Sequence, residues 1–120
     1  MRLATIAFAA AILLVPQTAS AQACKGRSEI VAACFTVHGR LSAYNGAPTF
    51  RIWRIGTRRI LGVAGGEDPV MPPSLRAQAG FDADLFGDYE VCPFTPERPG
   101  RMQMVCIESA SRLVRRDATK

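Results

Sequence analysis

The chain has 120 residues, 48% of them apolar, and carries a formal net charge of +5. A chain of this length predicts one small domain. All basic residues except Lys25 and Lys120 are Arg. Arg suits bidentate contacts with carboxylate or phosphate, but a moderate net charge and a bias toward Arg assign no ligand by themselves.

The first 21 residues have the pattern of a secretory signal peptide. Arg2 supplies a positive charge, residues 3–15 are apolar and uncharged, and Ala19 and Ala21 are small residues that suit a cleavage site. A membrane anchor is disfavoured, because a spanning helix needs about 20 apolar residues. We therefore expect cleavage after Ala21, a mature domain over 22–120 without a transmembrane segment, and a periplasmic or secreted location.

Apolar and polar residues alternate along the first half of the mature chain, which predicts β-strands. Gly39 lies inside the first alternating run and indicates a bulge or a sharp bend. Asn45-Gly46 predicts a turn, and Gly56-Thr57 suits a two-residue turn with Gly first. The three predicted strands cover 30–44, 49–55 and 58–63.

The second half is predicted to contain one short helix and two strands. After a loop over 64–73, Ser74 can cap a helix over 75–79, which Gly80 ends. Residues 81–87 are expected to form a connection. The last two strands are predicted at 88–94 and 101–109, with a turn at 95–100. From Ala110 the chain can extend the last strand or form a short helix as far as Val114, and a fraying tail follows.

The resulting element order is β-β-β-α-β-β. Five short strands with a helix between the third and the fourth resemble the order of the OB-fold, a small Greek-key barrel. The resemblance is one of topology and not of sequence. We therefore expect an all-β domain with one short helix, in the form of a small five-stranded OB-like barrel. A small β-sandwich is the alternative.

Four cysteines in an exported domain predict two disulfides: Cys24, Cys34, Cys92 and Cys106. A zinc site is disfavoured, because the cysteines do not form close pairs. A lipid anchor on Cys24 is disfavoured too, because the Leu of a lipobox is missing. In a hairpin over 88–109, Cys92 would lie opposite Cys106, so the favoured pairing is Cys92–Cys106 and Cys24–Cys34. We expect no metal and no cofactor.

Residues 49–63, TFRIWRIGTRRILGV, contain the only Trp and a cluster of Arg. In the predicted hairpin Arg54 lies opposite Arg59, a like-charge pair that is destabilising unless an anion or a carboxylate intervenes. One interpretation is an anion-binding face with Trp53 as a stacking platform. The other is a solvated hairpin, screened by water or neutralised by carboxylates of residues 82–90. The candidate ligand-binding residues are Arg51, Trp53, Arg54, Arg58 and Arg59.

Other patterns are weaker. Residues 82–87 resemble the start of a calcium loop, but Phe86 and Pro93 stand where ligands belong. His38 is the only His, and no nucleophile motif accompanies it. We therefore expect no catalytic residues.

The sequence thus predicts a small exported, non-enzymatic protein that binds an anionic ligand or a protein partner. One alternative is a structural or envelope-associated accessory protein of unknown activity. A less favoured alternative is a secreted enzyme or inhibitor. An inhibitor would present residues 95–102, TPERPGRM, and insert Arg98 or Arg101 into an acidic protease pocket.

Overall fold

The computed structural model describes residues 2–7, 9–12 and 22–118 and shows a mostly β domain with one short helix. The sheet closes into a ring in the order β1-β2-β3-β5-β4, and every strand pair is antiparallel except β3–β5. The predicted OB-like order is therefore confirmed. The elements are β1 (Phe35–Ala43), β2 (Phe50–Arg54), β3 (Ile60–Val63), α1 (Pro73–Arg76), β4 (Ala83–Pro93) and β5 (Gln103–Asp117).

The predicted signal peptide is covered only in part by this description. Residues 2–7 and 9–12 carry no regular secondary structure. The predicted cleavage site after Ala21 lies outside the described residues. No helix in the described part of the chain has the length and apolarity needed to cross a membrane.

The fourth strand begins earlier than the sequence predicts. β4 starts at Ala83, so most of the expected connection over 81–87 is strand. Ala83 and Leu85 are buried and Asp84 between them is less buried, as the alternation of a half-buried strand requires. Residues 83–87 of the candidate calcium loop are thus extended strand, and the Asp84 carboxylate accepts a hydrogen bond from the Ser42 hydroxyl at 2.6 Å.

The helix and the last strand also differ from the prediction. α1 begins at Pro73, Pro72 occupies the capping position, and no side chain caps the helix, so the predicted Ser74 cap is wrong. A Pro in the first turn is tolerated because the N–H that it lacks would have no partner there. Leu75 anchors the helix to the core. β5 continues past Ser109 and beyond the possible extension to Val114, and it ends at Asp117.

The core fills the interior of the closed sheet with inward-facing residues of all five strands. Its largest member is Tyr89, which is fully buried and donates its hydroxyl hydrogen to the Leu85 carbonyl at 2.6 Å. Gly39 lies opposite Gly87, and a Cβ at Gly39 would lie 2.5 Å from Ile52 Cγ2. Glycine therefore allows β2 to approach β1 closely. The other fully buried core residues include Val37, Leu41, Leu61, Val63, Val91, Val105 and Ile107.

All four cysteines form disulfides, but the predicted pairing is wrong. The bonds are Cys24–Cys106 and Cys34–Cys92. Cys92 and Cys106 do lie opposite each other in the β4–β5 register, as the hairpin geometry predicted. Their partners come instead from the segment 22–34, which precedes β1 and packs against β4 and β5.

The attached segment forms a small second core around the disulfides. Cys24 is fully buried there, and the Glu108 carboxylate accepts its backbone N–H at 2.6 Å and that of Lys25 at 2.9 Å. The Lys25 ammonium forms an ion pair with Glu90 at 2.8 Å, and this contact raises the pKa of Lys25. The segment is thus fixed to the barrel by two covalent bonds and by polar contacts.

Candidate functional site

The outer face of β2 carries two of the predicted site residues. Arg51 and Trp53 face outward, since β2 alternates buried and half-exposed positions. The Arg40 guanidinium lies over the Trp53 ring at 5.0 Å, and that of Arg51 lies over the Tyr44 ring at 4.7 Å. The Trp53 indole N–H donates to the Thr57 carbonyl at 2.7 Å. One side of the proposed stacking platform is therefore already covered by an Arg of the same protein.

The β2–β3 turn brings the backbones of Arg54 and Arg59 opposite each other, as the sequence predicts. The Arg54 N–H donates to the Arg59 carbonyl at 3.0 Å. The predicted two-residue turn with Gly first is wrong, however. The Thr57 N–H donates to the Arg54 carbonyl at 3.1 Å, which places Gly56, at φ +82°, third in the turn. This position requires a positive φ in a type II turn.

The two Arg side chains do not form the predicted like-charge pair. The Arg59 guanidinium donates to Gln103 Oε1 and forms an ion pair with Glu97 at 3.3 Å. These partners belong to β5 and to the β4–β5 connection, and not to residues 82–90, where the neutralising carboxylate was expected. Arg54 remains exposed, without a side-chain hydrogen bond or ion pair in the described part of the chain.

A cleft of about 360 Å³ lies between the β2–β3 turn and the β4–β5 connection. Its walls contain two Arg from each side, and Glu97 is the only carboxylate that lines it. We call it the arginine cleft. Its lining residues are Arg58, Arg59, Ile60, Glu97, Arg98, Gly100, Arg101, Met102 and Gln103.

Only part of the predicted binding site lines the arginine cleft, and the cleft also contains residues that were not predicted to bind a ligand. Arg58 and Arg59 line it, whereas Arg51, Trp53 and Arg54 do not. Arg98 and Arg101 were singled out in the sequence only as residues of an inhibitor loop. Their position could have been inferred from the OB-like order, because in that order the β2–β3 turn and the β4–β5 connection lie at the same end of the barrel.

The cleft concentrates positive charge that the protein leaves uncompensated. Arg58, Arg98 and Arg101 are exposed and form no side-chain hydrogen bond or ion pair within residues 22–118. Only Arg59 has a carboxylate partner. Neighbouring like charges repel, and an anion held between them relieves that repulsion. Guanidinium groups offer forked N–H donors that match phosphate, sulfate or carboxylate oxygens.

A larger cavity, of about 660 Å³, lies at the opposite end of the barrel, between the β1–β2 loop and α1. Its walls include Tyr44, Phe81 and Phe50, together with one Arg and one carboxylate, Arg76 and Glu67. The Arg76 guanidinium lies over the Phe50 ring at 5.1 Å. This cavity has no excess of positive charge, so its chemistry does not favour an anion as the arginine cleft does.

His38 takes part in a surface ion-pair cluster. Its Nδ1 lies 2.9 Å from Asp88 Oδ1, and Arg112 contacts the other oxygen of that carboxylate at 2.5 Å. The hydrogen bond from His38, together with the nearby Arg112 guanidinium, lowers the pKa of Asp88. The His38 side chain is 65% exposed. The His38 imidazole of the cluster therefore lies on the open surface.

One grouping of potential metal ligands occurs in the described part of the chain. The candidate atoms of Cys24, Cys92 and Glu108 lie within 4.8 Å of one another. Both sulfurs belong to disulfides. A disulfide sulfur is not a thiolate and is a poor metal ligand, so the oxidised domain has no metal centre at this position.

Comparison with known proteins assigns no family and no function to the chain. The chain matches no protein-family model, and searches of curated proteins and of solved structures found no significant match.

Proposed function

We propose that the domain is a small exported binding protein, without catalytic activity, that holds an anionic ligand in the arginine cleft. One observation carries the proposal: four Arg from two separate segments line one cleft, with a single carboxylate among them. The ligand class is any small molecule or group that presents phosphate, sulfate or carboxylate oxygens.

The chemistry of the cleft favours binding over catalysis. A guanidinium remains protonated at any physiological pH, so the Arg residues can hold an anion but cannot exchange protons with a substrate. The only His of the chain lies elsewhere, on the outer surface with Asp88 and Arg112. All four cysteines are oxidised. The carboxylate that lines the cleft, Glu97, is paired with Arg59 at 3.3 Å, and the proposal assigns it no proton-transfer role.

The proposal includes a periplasmic or extracellular location. Its support is the signal-peptide pattern of the first 21 residues together with the two disulfides. Disulfides persist in oxidising compartments and are rare where thiols are kept reduced. Mass spectrometry of the protein recovered from a periplasmic or culture fraction tests this part, and the expected chain begins at Gln22.

The cleft is tested by titrating the protein with pyrophosphate in low-salt buffer and measuring the heat of binding. Replacing Arg98 and Arg101 with Gln should weaken the affinity at least about tenfold, because each removes charge-assisted hydrogen bonds worth about 1.5–3 kcal/mol. The matched control replaces Arg54 and Arg116, which are exposed, form no ion pair in the described chain and lie outside the cleft.

The control has the same net charge as the cleft variant, so it separates a local site from general attraction. Equal weakening by both pairs would contradict a defined cleft. A parent protein that binds no pyrophosphate, sulfate or carboxylate probe would favour the structural or accessory role instead.

A further inference from the structure

A second depression adjoins the arginine cleft. It has a volume of about 540 Å³, and its walls are mostly apolar. We call it the apolar groove. Its apolar lining consists of Val31, Ala32, Ala33, Phe35, Pro93 and Pro96. The two depressions share Arg59, Glu97 and Gln103. They are therefore two parts of one continuous surface, one cationic and one apolar.

We propose that this surface binds an anionic amphiphile: a single-chain molecule with a phosphate or carboxylate head and an aliphatic tail. This inference rests on the function proposed above and names its ligand class. The head occupies the arginine cleft and the tail lies along the apolar groove. Each volume lies within the range of small-molecule sites in proteins, about 300–1,000 Å³. The cationic cleft adjoins the apolar groove, just as the anionic head of such a ligand adjoins its aliphatic tail.

A disulfide and a backbone hydrogen bond fix the position of one wall of the apolar groove. One wall is the segment before β1, and its Val31 N–H donates to the Pro93 carbonyl at 3.0 Å. The Cys34–Cys92 disulfide fixes the same segment to the end of β4. Binding to a preformed site loses less conformational entropy, because the protein does not have to become ordered when the ligand binds. The disulfide thus has a direct part in shaping the groove.

The apolar wall of the groove is exposed to solvent. Val31 is 55% exposed, and the two alanines that follow it are exposed too. An apolar patch bordered by charged residues is typical of a ligand-binding surface. A wholly hydrophilic anion would leave this wall in contact with water, whereas an aliphatic tail would cover it.

The junction between the two parts is occupied by an ion pair that a ligand could replace. Glu97 is 69% exposed and contacts Arg59 at 3.3 Å. Beneath it, the Arg59 guanidinium lies over the Phe35 ring at 5.7 Å. An anionic head can take the place of the Glu97 carboxylate on Arg59. Replacing Glu97 with Gln should therefore strengthen binding, because it removes a competing carboxylate.

The test compares three probes by calorimetric titration of the oxidised full domain: octyl phosphate, methyl phosphate and 1-octanol. Octyl phosphate should bind at least about tenfold more tightly than methyl phosphate, because its tail leaves water. Octanol should bind more weakly than octyl phosphate, because it lacks the charge. Val31→Asn should reduce the advantage of the tail without changing the affinity for methyl phosphate.

Val114→Asn is the matched control for Val31→Asn. Val114 is 54% exposed and lies on β5, away from the groove. It should leave the binding of all three probes unchanged. Glu97→Gln should strengthen the binding of both phosphates by a similar factor, which distinguishes the head position from the tail position.

Each outcome supports or overturns the inference. Equal affinity for octyl and methyl phosphate overturns the amphiphile and leaves the anion site intact. Absence of binding by either phosphate contradicts the anion site and the amphiphile together. A tail advantage that Val31→Asn does not reduce overturns the location. Binding to anionic lipid vesicles but not to monomeric octyl phosphate assigns the surface to a membrane and overturns the single-chain ligand.

Discussion

Cys92 and Cys106 lie directly opposite each other in β4 and β5, yet their sulfurs belong to two different disulfides. Cys106 is bonded to Cys24 and Cys92 is bonded to Cys34. Neither bond bridges the last hairpin. Both instead attach the segment before β1 to the two strands that follow α1 in the chain, and one of them also shapes the apolar groove.

Replacing Cys24 and Cys106 with Ser should destabilise the domain strongly. The bond closes a separation of 82 residues, for which the chain-entropy relation gives about 4.5 kcal/mol. In a domain of this size such a loss lowers the Tm by roughly 18–36 °C. Calorimetry measures the fall, and the matched comparison is the Cys34, Cys92 variant, whose separation is 58. Peptide mapping of the parent that finds Cys92 linked to Cys106 would contradict both bonds.

Arg54 and Arg59 should respond differently to replacement by Gln, although their backbones are paired. Arg59 is bonded to the buried Gln103 and to Glu97, so its loss should destabilise the fold by about 1–2 kcal/mol. Arg54 is exposed, so its replacement should change stability by less than about 0.5 kcal/mol. Urea unfolding followed by Trp53 fluorescence measures both. Equal effects would show that cross-turn repulsion, and not the Gln103 contact, decides stability here.

Gly39→Ala should destabilise the barrel. The new Cβ would lie 2.5 Å from Ile52 Cγ2 and 2.9 Å from the Trp53 carbonyl oxygen. Forcing an extra carbon into a packed core costs about 1–3 kcal/mol. Gly80→Ala is the control, because its Cβ would meet only the exposed Asp82 side chain, at 3.1 Å. Urea midpoints compare the two, and a neutral Gly39→Ala would show that β2 can move away from β1.

Asp88 should contribute to stability in a pH-dependent manner. Its pKa is lowered by the hydrogen bond from His38 and by Arg112. A carboxyl group whose pKa is lower in the folded state stabilises the fold above its ordinary pKa of 3.8. That contribution is lost as the pH falls through the lowered value. Asp88→Asn should therefore be less stable than the parent at neutral pH, and the difference should shrink in acid below about pH 4.

Stability is measured by urea unfolding at a series of pH values. Asp68→Asn is the control, because Asp68 is exposed and makes no side-chain hydrogen bond or ion pair in the described part of the chain. It should leave the acid dependence of the parent unchanged. A difference between parent and Asp88→Asn that stays constant into strong acid would contradict the role of the Asp88 carboxylate.

The sequence predicted the fold well where alternation was strong. The second and third strands were located to within two residues, because period-two patterns report burial on one face of a sheet. The first begins at Phe35, five residues after its predicted start, because residues 30–34 belong to the segment that the disulfides attach to β4 and β5. β4 was predicted to start too late because Asp82, Asp84 and Gly87 look like loop residues. In the barrel, the residues between them, Ala83 and Leu85, carry the inward face. The loop-like composition of this segment was misleading, and burial of Ala83 and Leu85 in the core favours the strand conformation.

The site was predictable only in part. Arg58 and Arg59 were named, but their meeting with Arg98 and Arg101 depends on closure of the barrel, which joins segments far apart in the chain. The apolar groove depends on the Cys34–Cys92 bond, and the spacing of four cysteines does not determine their connectivity. In both cases local periodicity does not show the contact between distant segments, although the OB-like order does place the β2–β3 turn and the β4–β5 connection at one end of the barrel.

The nested disulfides have a consequence for the order in which the chain oxidises. Cys24 and Cys34 are ten residues apart, and Cys92 and Cys106 are fourteen apart, whereas the native bonds span 82 and 58 residues. Short loops close at a smaller entropic cost, so the reduced chain joins neighbouring cysteines more readily. If both short-range bonds form, all four cysteines are used, so exchange to the native pairs needs an attacking thiolate from an external thiol. The native partners lie close together where the segment before β1 packs against β4 and β5, so assembly of these segments favours the long-range bonds over the short-range ones.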